Sequence, residues 1–361
     1  MTPGEPAALR VPKVALVLSG GVGLGAYQAG AFRALEARFA PGHIAAASIG
    51  AVNGAIVAGN APGRRADALD AFWNAVATTF PAPFPGAGED FAPGQPWRRA
   101  ASWAGAIQSR LAGRPGLFSP QIPAPVLGPA ALGLYTLAPL ARMLERFVDF
   151  GRLNAGEIRL SVLATDLATG EPVFFDTGRG QTIGPEHVLA SCGFVPEFAP
   201  TEIDGRLLGD GGLAANAPLE AAFEDLGPDE DVICFVLDLF ARDVGPPRTL
   251  AEAGALRRDL LFCNPTHRAL EALRREDALR RRLAEAGGGP APAEARRGAT
   301  AVLHLSHLPA SGEAGVERHF DFSRTSLDAR RRAGAEDMAR ALDLLGAPAP
   351  PPGFTLHRVR R

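Results

Sequence analysis

Lysine is almost missing from this chain: Lys13 is the only one, so arginine carries nearly all the positive charge. The formal net charge is -2, which leaves no bulk electrostatic case for nucleic acid, and no nucleic-acid partner is expected. Cysteine is scarce. Cys192, Cys234 and Cys263 are odd in number and widely spaced, which suits neither a disulfide framework nor a C-x-x-C metal pair. The histidines and acids lack zinc-type or calcium-loop spacing, so neither a metal nor any other cofactor is expected. Long apolar runs are absent too: nothing approaches the ~20 residues of a bilayer span. The opening MTPGEPAALRVPK has no cationic start followed by an apolar stretch, so no secretory leader is expected. A cytoplasmic location follows as an expectation. Any membrane contact would be peripheral, at the inner surface. Nothing in the sequence bears on oligomeric state.

What is present is a chain of 361 residues, 47% apolar, enough to bury a substantial core. Residues 14–18 read as a buried parallel strand, followed by a glycine-rich loop and a helix over about 26–39. Residues 43–47 form a weak strand by propensity, and 49–58 a small-residue helix closed by Gly59-Asn60. Further strands are expected at 160–164, 173–175, 207–208, 232–237 and 301–305. Strands alternating with helices predict an α/β fold with a mostly parallel sheet. Residues 80–133 are dense in proline and glycine with scattered Trp97, Trp103, Phe84, Phe91 and Phe118, a candidate lid or interfacial insertion. The expected organisation is a catalytic domain over 10–250, a mainly helical C-terminal extension packed on it over 251–346, and a disordered tail over 347–361.

Three local patterns carry chemistry. In Ala46-Ala47-Ser48-Ile49-Gly50 a serine stands between strand and helix with small residues two before and two after, the pattern of a nucleophile elbow. A serine there is also an ordinary helix N-cap. The loop Gly20-Gly21-Val22-Gly23 can converge backbone N–H groups on one anionic oxygen. It can equally be a plain turn, or part of a dinucleotide fingerprint, although the acidic residue expected about 20 positions on is missing at that spacing. Asp210, flanked by Gly209, Gly211 and Gly212, can be brought close to another backbone, or be a simple turn. Together the three supply a nucleophile, a base and an oxyanion stabiliser.

The runs LVLSGGVGLGAYQAG, ASIGAVNGAIVAGN, ATDLATGEPV and IDGRLLGDGGLAANAPL closely resemble, in that order, the bacterial patatin-like phospholipases, and ASCGFVPEFAP is similar as well. HFDFSRTSLDARRRAG is similar to the C-terminal extension of one branch. The resemblance implies a three-layer α/β/α fold and a Ser–Asp dyad without histidine, acting on lipid or other acyl esters. Ser48 takes the place of the nucleophile and Asp210 that of the base. Gly20, Gly21, Val22 and Gly23 take the place of the oxyanion loop, with Gly25 closing the motif. Ala46, Gly50, Gly211 and Gly212 support the two turns. Two positions depart from the family pattern: Val22 replaces a glycine of the loop and Ala46 the first glycine of the elbow.

Three other readings stay open at this stage. An α/β-hydrolase triad could draw on His267, His304, His307 or His319, all beyond Asp210. A nucleotide-binding oxidoreductase could use residues 20–25. A catalytically silent lipid-binding protein could share the fold.

Overall fold

The computed structural model describes residues 11–78, 105–121, 132–242, 244–286, 298–309, 318–346, 350 and 353–359. The strands are β1 (Lys13–Leu18), β2 (His43–Ala47), β3 (Ser119–Pro120), β4 (Tyr135–Thr136), β5 (Arg159–Asp166), β6 (Pro172–Asp176), β7 (Thr201–Ile203), β8 (Arg206–Asp210), β9 (Val232–Asp238), β10 (Thr300–Ser306) and β11 (Phe354–Val359). Nine of them form one sheet in the order β11-β10-β9-β1-β2-β5-β8-β7, with β6 also paired to β5. The run from β11 to β5 is parallel, while β6, β8 and β7 are antiparallel additions at one end.

The central strands are mostly apolar, with polar residues chiefly at their ends, because both sheet faces are covered. On one face Leu16, Leu18, Ile44, Phe235 and Leu237 meet the helices Ala26–Glu36, Ile49–Ala58 and Arg324–Leu345. On the other, Ala15, Val17, Ala45, Cys234 and Val236 meet Leu219–Phe223 and Leu270 of the helix Leu250–Ala286. The expected three-layer α/β/α fold with a mostly parallel sheet is observed. β2 forms despite its alanines because β1 and β5 pair with it on both sides and supply the hydrogen bonds.

The expected boundary at residue 250 does not divide this structure. β10 extends the same sheet beyond β9, and β11 lies on its outer edge in parallel register, Thr300 opposite Phe354. Part of the tail expected to be disordered is therefore a strand. Phe354 and Leu356 pack toward one core face and Val359 toward the other, so burial outweighs the proline-rich lead-in. The helices Ala26–Glu36 and Arg324–Leu345 cross in close contact, with Gly30 and Gly334 at the crossing.

Most of the candidate lid, including Phe84, Phe91, Trp97 and Trp103, lies outside the described residues. Phe118 is described. It is buried in ring contact with Tyr135, Phe198, Phe320 and Phe322, a packing role rather than an interfacial one.

Candidate active site

Ser48 follows β2 and opens the helix Ile49–Ala58 with φ 54° and ψ -128°. A non-glycine residue held there costs on the order of 1–3 kcal/mol, strain typical of functional turns. The turn has no room for larger neighbours: a Cβ on Gly50 would come within 2.3 Å of the Leu18 carbonyl oxygen, and Ala46 is fully buried. Although Ser48 occupies the N-cap position, its hydroxyl does not cap the helix. It lies instead close enough to the carboxylate of Asp210 to favour that group's charged form.

The sheet register explains how a residue so far along the chain arrives there. β2 and β6 flank β5 on opposite sides, both opposite Val162. β2 ends with Ala47 opposite Leu163, and on the next residue of β5, Ala164, the partner is Asp210 of β8. Since β6 occupies the other side of Ala164, β8 continues the line of β2 and meets its end. Gly211 must be glycine at this junction, because a Cβ there would lie 2.2 Å from the Leu163 carbonyl oxygen.

Asp210 is almost fully buried, and the Gly212 N–H donates to its Oδ1 at 2.7 Å. Burial lifts its pKa to about 7, while the hydrogen bonds from the Ser48 hydroxyl and the Gly212 amide pull in the opposite direction. A carboxylate of that basicity can accept a serine proton near neutrality.

The glycine loop lies against this pair. A Cβ on Gly20 would come within 2.9 Å of the Ser48 Cβ and 2.8 Å of the Asn216 Oδ1. The Gly20 N–H is already committed to the Asn216 carbonyl at 3.2 Å, which removes it from the expected set of oxyanion donors. Among the described residues no acceptor takes the N–H of Gly21, Val22 or Gly23, which open the 3-10 turn Val22–Gly25. Val22 adopts φ 52°, a left-handed conformation usually reserved for glycine. Gly25 is closely packed: a Cβ there would be 2.7 Å from Ile49 Cγ1 and 2.9 Å from Trp73 Cζ2.

Sequence reasoning assigned no role to several residues that frame the site. Asn216 brackets Gly20, its Nδ2 donating to the Gly20 carbonyl at 3.4 Å. Asn53 donates to the Gly25 carbonyl at 3.0 Å and accepts from Trp73 Nε1 at 3.1 Å. Gln28 donates to the Ser19 carbonyl at 2.8 Å. The signal was polar residues inside apolar segments, which says that a partner exists but not which one.

Above Ser48, Asp210 and the loop opens a cavity of about 360 Å³, walled by Phe194, Phe198, Phe240, Leu261, Phe262 and Phe320, with Arg257, Arg258 and His319 also lining it. Residues 16–223 match the family model described as patatin-like phospholipase. The chain belongs to the patatin-like phospholipase family.

Uncharacterized NTE family proteins of Mycobacterium tuberculosis and Mycobacterium bovis are 28% identical to this patatin-like chain over 249 residues, 67% of it and 55% of their own length. The chain thus spans little more than half of those relatives. Among solved structures, VipD from Legionella pneumophila is similar with a TM-score of 0.42 and 15% identity, over 94% of this chain and 69% of that one. Full-length ExoU from Pseudomonas aeruginosa, solved with SpcU, gives a TM-score of 0.28 and 16% identity, over 69% and 48%.

In this patatin-like fold the carboxylate beside the Ser48 hydroxyl is that of Asp210, and the histidines beyond it in the chain have other partners. His304 faces Asp238 at 3.5 Å, His267 packs edge-on against His304, and His307 stacks on Tyr27. His319 reaches the cavity, but Arg258 donates to its Nδ1 at 2.8 Å. Burial, and then the charges of Arg258, Arg110, Arg318 and Arg330, keep His319 neutral. Glu36, the first acidic residue after the glycine loop though nearer than the dinucleotide reading requires, is engaged elsewhere, accepting from the Gly63 and Ala66 N–H groups near the start of the helix Arg65–Ala75.

Proposed function

We propose that the protein is a serine lipid acyl hydrolase with Ser48 as nucleophile and Asp210 as general base. The observation that carries this reading is the buried Ser48 hydroxyl close against a buried carboxylate of raised pKa, beside three loop amides that no acceptor among the described residues takes and under an aromatic cavity. Asp210 takes the hydroxyl proton as the Ser48 Oγ attacks an ester carbonyl. The amides of Gly21, Val22 and Gly23 receive the oxyanion. On collapse the carbonyl–oxygen bond to the alcohol breaks, and the alcohol leaves with the proton held by Asp210. Water then attacks the acyl-serine, giving its proton to Asp210 and releasing the acid, and the proton returns to Ser48. The phenylalanine walls suit an acyl chain.

The first half of the helix Leu250–Ala286 supports a peripheral stance on lipid. Leu250 is 91% and Leu261 60% exposed. A shallow groove of Leu256, Leu260, Leu261 and Pro265 runs between Arg257 and Arg268 and reaches the cavity through Arg257 and Leu261. Apolar and cationic groups together favour an anionic lipid surface. Among the described residues no helix is long and apolar enough to cross a membrane. A cytoplasmic setting at the inner membrane surface is part of the same proposal.

The test is covalent labelling with a fluorophosphonate, mapping of the labelled residue, and hydrolysis of a panel of soluble and lipid esters. Labelling at Ser48, abolished with activity in Ser48→Ala, is expected. Full hydrolysis by Ser48→Ala or Asp210→Asn would overturn the assignment.

A further inference from the structure

Arg330 lies on the helix Arg324–Leu345, far beyond the span matched by the family model, and its side chain is fully buried. Its Nη1 donates to the Gly23 carbonyl at 2.9 Å and to the Asp321 carbonyl at 2.8 Å, while Nη2 donates to the Arg318 carbonyl at 2.8 Å. The guanidinium therefore ties the glycine loop to the segment that begins with the turn Arg318–Phe320. Bonds from a cation are stronger than neutral ones, and the planar fork fixes the directions in which they are made.

The contact falls on a particular peptide. Between Gly23 and Leu24, the carbonyl is held by Arg330, and the Leu24 N–H donates to the Gly21 carbonyl at 3.1 Å. Both ends of that peptide are thus fixed, in the turn whose leading amides are those of Gly21, Val22 and Gly23. Val22 within it is β-branched and left-handed, a strained conformation that would relax if the turn were free. The fit around Gly23 is close: a Cβ there would lie 2.8 Å from the His319 carbonyl oxygen and 3.3 Å from Arg330 Nη1.

We infer that Arg330 is a positioning residue for the oxyanion loop. It locks the Gly23–Leu24 peptide so that the three free amides stay aimed at the developing oxyanion, and its buried charge favours negative charge on that side of the site. This rests on the hydrolase reading above and makes the segment beyond the family match part of the catalytic unit.

The experiment compares the full chain with Arg330→Lys and Arg330→Ala. It measures kcat and KM on a soluble short-chain ester, the rate of Ser48 phosphonylation by a fluorophosphonate, and thermal unfolding. Folded variants should lose kcat by roughly 10- to 100-fold, below the loss from removing an oxyanion donor outright, with KM little changed. Phosphonylation should slow in parallel. Added guanidinium ion at millimolar concentration should restore part of the Arg330→Ala rate. If Arg330→Ala does not fold, Arg330→Lys, which keeps the charge without the fork, decides the matter. A folded variant with parental kcat and phosphonylation rate overturns the inference, as does a loss no larger than the loss of folded protein. If the parental chain itself is not labelled at Ser48, the hydrolase reading falls, and this one falls with it.

Discussion

Ser48 donates its backbone N–H to the hydroxyl of Ser191 at 2.8 Å. The same hydroxyl donates to the Leu163 carbonyl at 2.5 Å, and the Ser191 carbonyl accepts the Gly211 N–H at 3.3 Å. One buried serine thus ties the Ser48 turn, the strand β5 beneath it and the turn after Asp210 together. In Ser191→Ala the Ser48 amide loses its acceptor in a dry environment, a cost of about 1–3 kcal/mol. The variant should unfold at lower temperature and hydrolyse esters more slowly, by roughly 10-fold if the strained turn relaxes. Unchanged melting and rate would show that the elbow stands without it.

The acidity of Asp210 shapes both activity and stability. On the proposed mechanism deprotonated Asp210 is the active form, so kcat should rise as pH increases through about 7 and level off above it. The stability effect has the opposite sign. Between the ordinary 3.8 and about 7 the folded chain keeps a proton that the unfolded chain has lost, so stability falls as pH rises across that window. At about 1.4 kcal/mol per pKa unit the full penalty above pH 7 is at most about 4 kcal/mol. Asp210→Asn should therefore be inactive yet melt higher than the parent at pH 8, with the difference shrinking toward pH 4. Equal melting temperatures at both pH values would contradict the raised pKa.

The crossing of the helices Ala26–Glu36 and Arg324–Leu345 depends on two absent side chains. A Cβ on Gly30 would lie 1.9 Å from the Arg331 carbonyl oxygen, and one on Gly334 2.0 Å from that of Tyr27. Because the obstacles are backbone, no rotamer change relieves them. Gly334→Ala gains about 1 kcal/mol of helix propensity but should lose about 3 kcal/mol to the clash, a net destabilisation readable by denaturant titration. Since this helix carries Arg330, hydrolysis should fall as well.

The proposed lipid-facing stance of the helix Leu250–Ala286 makes a separate forecast. Leu250→Glu with Arg268→Glu changes exposed groups that do not line the cavity. The pair should weaken sedimentation with vesicles containing anionic phospholipid and slow hydrolysis on them several-fold, while the rate on a soluble short-chain ester stays within about 2-fold. Equal loss on both substrates would count against this face.

Much of this protein can be read without coordinates, because the decisive patterns are local. The apolar run Val14–Leu18 belongs to a strand buried on both faces, and Ala46, Ser48 and Gly50 mark a turn in which only small neighbours fit. The Gly-Asp-Gly-Gly segment likewise announces a tight turn at a carboxylate. Local pattern misled where burial was supplied from far away: the segment Phe354–Val359 follows a proline-rich stretch and still forms a strand, because β10 presents an open edge. The oxyanion donors were over-assigned for the same reason, since the carbonyl that takes the Gly20 amide belongs to Asn216.

Composition and spacing by themselves pointed to the fold class and marked Ser48 and Asp210 as candidates at tight turns, since each depends on steric demands within a few neighbouring residues, and the family resemblance chose among the readings of those turns. Only the folded chain decided that β8 meets the end of β2, that burial raises Asp210 to about 7, and that Arg330 holds the glycine loop. Those outcomes depend on register and on the exclusion of water, which arise when distant segments share one interior.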